Sequence, residues 1–247
     1  MELLTEFETD IVALVISVLS VVAYYLFLSM KVRENPTYTI HGVHELARRL
    51  WVANIMRNPA QGIMGVQTLR NWIMGSTLMA STAAILIIGT LTLSGQAESI
   101  TRSWHVLSMT SSHAAELWIV KVMALLITFI VAFFAFAMSV RLANHVVFMI
   151  NVPEFEAHHN LSPESVARRL HRSGTMFSIG MRAFLFAIPL VFWLFGPYFL
   201  VAASIGLIIA LYRLDRSESE GVMDVGPSEK QKQQNAPVVS IQAKYAK

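Results

Sequence analysis

The chain contains no cysteine, which excludes disulfides, thiolate metal sites, cysteine nucleophiles and c-type haem attachment. Charge is nearly as scarce. Only 14% of the residues are Asp, Glu, Lys or Arg, where a soluble domain carries about a quarter. The formal charge of +3 is too small to point to nucleic acid as a partner. There is no Gly-rich phosphate loop, GxSxG elbow or HExxH pair, so no catalytic motif is found and no cofactor is implied. The long apolar blocks hold no Asp or Glu between their ends, whereas proton- and cation-coupled transporters commonly place a carboxylate near mid-membrane. The first residues, MELLTEFETD, lack the basic region and the small-residue cleavage site of a secretory signal.

What the chain does have is apolar residues, 55% of the total, gathered into blocks. Residues 11–30 are twenty uncharged residues ahead of Lys31. At a rise of about 1.5 Å per residue they match a hydrocarbon core of about 30 Å, so they predict a retained transmembrane helix. Blocks near 72–93 and 117–140 predict two more. The stretch 183–213 has thirty uncharged residues before Arg213, with Gly196-Pro197 near its middle. Glycine suits the end of a helix and proline the first turn of the next, so this stretch reads as two crossings joined by a tight turn.

Charge bias supports that reading. Lys31, Arg33, Arg48, Arg49, Arg57 and Arg70 fall in one connection, and Arg141, Arg168, Arg169, Arg172 and Arg182 in another, while 94–116 has only Arg102. By the positive-inside rule the two basic segments are internal and the N-terminus is external; a double crossing of 183–213 keeps Arg213, Arg216 and the C-terminus internal as well. The predicted fold is all-α: a multi-pass transmembrane helix bundle with five crossings, or four if 183–213 crosses once, with amphipathic cytoplasmic helices. One of these places Val43, Leu46, Leu50 and Ala53 on a stripe, with Glu45, Arg48 and Arg49 off it, and ends near Asn58-Pro59. Another short helix is predicted after the N-cap Ser162 and Pro163, ahead of a separate crossing from about Phe177. Residues 1–216 form the transmembrane domain, and 217–247, rich in Ser, Glu, Lys, Gln and Asn, read as a disordered cytoplasmic tail.

Several side chains are candidates for function. Rows of small residues at every fourth position predict close helix packing or an oligomer interface: Ser76, Ala80 and Ala84; Ala135, Ser139 and Ala143; Ala202, Gly206 and Ala210. Thr77, Ser81 and Thr82 are predicted to hydrogen-bond between helices. Lys121, about one turn inside the third crossing, is expected to snorkel outward past Glu116 and His113. Arg141 ends that crossing and Arg182 begins the next, so both are expected at one membrane depth. With Asn144 they predict a site for an anion or a lipid headgroup. His41 and His44, three apart, and the compact cluster Glu154, Glu156, His158 and His159 are metal-type ligands, and neither set matches a specific metal motif.

The runs RRLWVANIM (48–56), MASTAAILIIGTL (79–91), LWIVK (117–121), FIVAFFAFAMSVRLAN (129–144), SIGMRAFLFAIPLVFWLFGP (178–197) and ALYR (210–213) resemble a bacterial inner-membrane family catalogued as a domain of unknown function, the five-hundred-and-ninety-ninth of that series. The resemblance implies a multi-pass protein of the bacterial inner membrane, with a periplasmic N-terminus and a cytoplasmic C-terminus by the charge bias above. It implies no activity. Where relatives are expected to place an acid before the lysine of LWxxK, this chain has Ile119 and Val120; Pro59 and Gln61 stand where a basic–acidic pair is expected. Three functions fit these residues. The first is an accessory or scaffold subunit whose partners are other membrane proteins or further copies of itself. The second is a small oligomeric transporter or channel. The third is a protein that handles anionic lipids or other anions through its cytoplasmic arginines.

Overall fold

The apolar blocks at 11–30, 72–93 and 117–140 each become one long helix that continues into the flanking polar segments. The computed structural model describes residues 2–34, 40–95, 115–152 and 161–215, all within one unit, Met1–Ser217. They form six α-helices: α1 (Glu2–Glu34), α2 (Ile40–Arg57), α3 (Gly62–Gly95), α4 (Ala115–Met149), α5 (Pro163–Trp193) and α6 (Pro197–Asp215). A single 3-10 turn, Pro59–Gln61, joins α2 to α3. Four of the helices, α1, α3, α4 and α5, are long and apolar enough to cross a membrane, and α6 adds a shorter apolar stretch, Pro197–Arg213. The protein is a multi-pass membrane helix bundle. The predicted tail 217–247 and the metal candidates Glu154, Glu156, His158 and His159 lie outside the described residues.

The stretch 183–213 is two helices. The N–H groups of Leu194, Phe195 and Gly196 turn back onto the carbonyls of Val191, Phe192 and Trp193 at 3.1, 3.1 and 3.2 Å. Gly196 then takes a φ of 150°, a conformation open to glycine because it has no Cβ. Pro197 opens α6 at a position where its missing N–H has no partner to lose. The returning helix packs Leu200 beside Trp193 and Ala13, and Leu207 and Leu211 beside Leu185, Phe186 and Tyr24. So α6 runs antiparallel to α5 and parallel to α1.

The remaining crossings share a layered seam. Trp118 and Val122 meet Leu194 and Leu93; Leu125 and Phe129 meet Ala187 and Ile87; Ala132 and Phe136 meet Ala83 and Ala183. This order makes α4 antiparallel to both α3 and α5. The seam is close at Gly180, where an added Cβ would stand 2.7 Å from the Phe136 ring. α3 is 34 residues long, about 51 Å at helical rise, against a hydrocarbon core of about 30 Å. It therefore continues past the apolar region, as do α4 and α5. Their extensions, with α2 laid across them, enclose a second core of Val52, Ile55, Leu69, Val146, Ile150, Val166 and Leu170.

One expectation changes here. The short helix at Ser162 and the crossing expected from Phe177 are one continuous helix, α5. Ser162 does cap it, accepting from the Ser165 N–H at 3.4 Å. Nothing stops the helix downstream, because Gly174 sits mid-helix with the Arg48 guanidinium where a Cβ would be. The stripe predicted to hold α2 on the membrane is exposed at Val43, Leu46 and Leu50, as a membrane-facing stripe would be. A second face of α2, with Arg48, Val52, Ile55 and Met56, docks on the bundle.

Candidate functional site

The first site follows from where α1 begins. The helix starts well before its apolar block and carries Asp10 into the bundle. Asp10 Oδ1 lies 3.0 Å from Lys121 Nζ on α4 and accepts a hydrogen bond of 2.7 Å from Trp193 Nε1 on α5. The ammonium also sits 5.4 Å from the centre of the Trp193 ring, within cation–π range. Asp10 and Lys121 are 7% and 3% exposed. A lone charge buried here would be costly; the pair cancels, and the indole N–H satisfies a further carboxylate lone pair. Lys121 therefore does not snorkel outward past Glu116 and His113 as the sequence predicted, because a carboxylate reaches it from inside the bundle. Asp10, at the end of the acidic run MELLTEFETD ahead of the first apolar block, is that carboxylate. Ile119 and Val120 face outward, so neither position could have supplied it.

Below this lock, α1, α5 and α6 diverge around an apolar groove of about 250 Å³. Val18, Phe186, Pro189, Ser204 and Leu207 line it, and the buried Ser17 hydroxyl, which has no hydrogen-bond partner, lines it too. Proline inside α5 has no N–H for the carbonyl one turn back, which leaves a second acceptor unpaired by the helix. At the far end, Arg182 stacks 5.4 Å from the Tyr25 ring, and Tyr25 packs on Phe186.

A third feature knits the extended ends together. Arg48 of α2 lies 5.7 Å from the Trp72 ring of α3; Trp72 Nε1 donates to Ser173 Oγ of α5 at 3.2 Å; Ser173 Oγ donates to the Ser139 carbonyl of α4 at 2.9 Å. Four helices meet in this one node. Burial lowers the pKa of the Arg48 guanidinium below its ordinary value, and Glu45 opposes the shift.

The model of a family described as "Protein of unknown function, DUF599" matches residues 12–220, which takes in all three features except Asp10. The chain belongs to the DUF599 family. No curated protein and no solved structure matches it.

In this DUF599 chain the candidate residues are distributed as follows. Ser76, Ala135, Ser139 and Ala143 are buried, and Ala80 and Ala84 half-buried, so those two rows face other helices. Ala202, Gly206 and Ala210 face outward, and a Cβ on Gly206 would meet nothing within 4 Å. Among the described residues that row is no seam, because α6 packs inward through Leu200, Ser204, Leu207 and Leu211 instead. Thr82 donates to the Leu78 carbonyl of its own helix rather than across to another. Arg141, Asn144 and His145 share a shallow hollow on the outward side of α4, which Arg182 does not line. Arg182 also sits at another depth. Its neighbour Ala183 packs against Ala132, which is nine residues, about 13 Å, along α4 from Arg141. The expected common depth assumed a crossing that begins at Phe177, and α5 begins well before that. The Asp10–Lys121–Trp193 lock escaped sequence reasoning; its only local signal is a lysine inside an apolar block.

Proposed function

We propose that this protein is an accessory or scaffold subunit of a membrane assembly. The observation that carries this reading is the outward row Ala202, Gly206 and Ala210. Small residues at this spacing let two membrane helices approach backbone to backbone, and among the described residues no helix occupies that approach. A second copy or another membrane protein would. Gly206→Leu is expected to leave the melting temperature of the solubilised protein within about 2 °C of the parent, since surface changes stay within about 0.5 kcal/mol. It is expected to lower the stoichiometry, counted by single-molecule photobleaching in bilayers, or to release a co-purifying protein. Unchanged stoichiometry and unchanged co-purification would remove the scaffold reading. The buried Asp10–Lys121 pair favours a second reading, an oligomeric transporter or channel in which the pair separates during the cycle. A flux in proteoliposomes that vanishes in Asp10→Asn would put that reading first.

The placement we propose is the inner membrane of a bacterium, with the N-terminus outside and the C-terminus inside. The basic extensions of α3, α4 and α5 then face the cytoplasm, and attract anionic lipid headgroups around them. Reporter fusions at Ser219 and at the N-terminus are expected to read inside and outside respectively. An external Ser219 fusion would overturn this orientation.

A further inference from the structure

At the end of the groove away from the Asp10–Lys121 lock, α1, α5 and α6 each carry a basic residue. Arg182 lies one turn from its lining residue Phe186, and Arg213 lies two residues beyond Leu211, which packs in the same cluster as Phe186 and Tyr25. Lys31 stands further along α1. Each of the three helices that form the groove therefore brings a basic residue to the same end.

Depth adds to charge. The apolar part of α6, Pro197–Arg213, is 17 residues or about 25 Å, short of a hydrocarbon core of about 30 Å. On this side of the bundle the polar boundary must rise to meet Arg213, or the bilayer must thin locally. Arg182 pairs in depth with the same cluster, so headgroups drawn to Arg213 also come within reach of Arg182. Beyond them the groove offers apolar walls, and Val18 stands 52% exposed at its rim.

We infer that the groove binds one anionic phospholipid: its phosphate lies between Arg182 and Arg213, and one acyl chain runs past Tyr25 and Phe186 into the space lined by Ser17, Val18, Pro189 and Ser204. This rests on the chain's being in a bilayer and is independent of the scaffold role. Arginine suits the phosphate because its planar fork donates two parallel hydrogen bonds. The apolar walls suit the chain because they present no charged side chain.

The test uses the full-length protein in phosphatidylcholine vesicles doped with spin-labelled phosphatidylglycerol or spin-labelled phosphatidylcholine. The readout is the motionally restricted fraction in the electron paramagnetic resonance spectrum. The parent is expected to restrict phosphatidylglycerol at least threefold more than phosphatidylcholine. The Arg182→Gln, Arg213→Gln double variant is expected to lose that preference, and Arg182→Lys to retain part of it. Val18→Phe, which fills the groove from its exposed rim, is expected to reduce the restricted fraction of both lipids without shifting the melting temperature. Equal restriction of the two lipids by the parent would overturn the inference. So would an Arg70→Gln, Arg141→Gln control that loses as much preference, since diffuse attraction would then suffice. Competition by millimolar inorganic phosphate, or a Val18→Phe variant that loses self-association rather than lipid, would overturn it as well.

Discussion

Asp10→Ala is expected to destabilise the bundle by about 3–5 kcal/mol, because it strands the Lys121 ammonium in a site that is 3% exposed. It also removes the acceptor of the Trp193 indole N–H, a loss of about 1–3 kcal/mol when the donor stays buried. Asp10→Asn keeps an oxygen for the indole and removes only the charge, so it should fall between the parent and Asp10→Ala. The informative variant is the pair Asp10→Leu, Lys121→Met. Replacing both ions by apolar groups of similar volume often recovers or exceeds the starting stability. Melting each variant in one detergent gives the coupling directly; about 2 kcal/mol or more is expected between positions 10 and 121. Additive single losses, with no recovery in the pair, would show that the ion pair does not hold the helices together.

The second large effect is expected at Gly180. An added Cβ would stand 2.7 Å from the Phe136 ring, which is itself fully buried between Phe177 and Phe184. The ring has no room to turn away, so Gly180→Val should cost at least the upper part of the usual overpacking range, about 3 kcal/mol. Gly180→Ala, Phe136→Leu opens space opposite the new methyl group and should recover more than half of the loss suffered by Gly180→Ala alone. Thermal unfolding monitored by tryptophan fluorescence would report both. A Gly180→Val variant that melts with the parent would mean that α4 and α5 are further apart than this seam requires. Gly206→Leu provides the contrast: the same residue type, one helix on, with nothing within 4 Å of its missing Cβ.

These two glycines mark the boundary of what the sequence can say. The break at Gly196-Pro197 and the cap at Ser162 were legible because each depends on backbone preferences a few residues long. Rows of small residues were legible as rows. Their direction was not, since periodicity places Ala202, Gly206 and Ala210 on one face without saying whether that face meets protein or lipid. Gly180, which closes the seam between α4 and α5, belongs to no such row. The lock was the least legible feature, because Asp10 and Trp193 are 183 residues apart and each has an innocent local reading, one as the end of an acidic run and the other as part of an interfacial aromatic belt. The depth of Arg182 was misread for a different reason: it was measured from a helix start at Phe177, and α5 starts at Pro163.

The meeting of α1 with α6 has a consequence for how the protein is made. A chain emerges N-terminus first, so α1 is released into the bilayer long before the helix against which it mainly packs. Asp10 waits for Lys121 through the synthesis of α2 and α3, and for Trp193 until nearly all of α5 is complete. During that interval an unpaired carboxylate at the end of α1 is better placed at the water boundary than in hydrocarbon. Helix α1, inserted ahead of α2 to α6, is thus the last to be locked in place, and α6 closes the bundle by packing beside it.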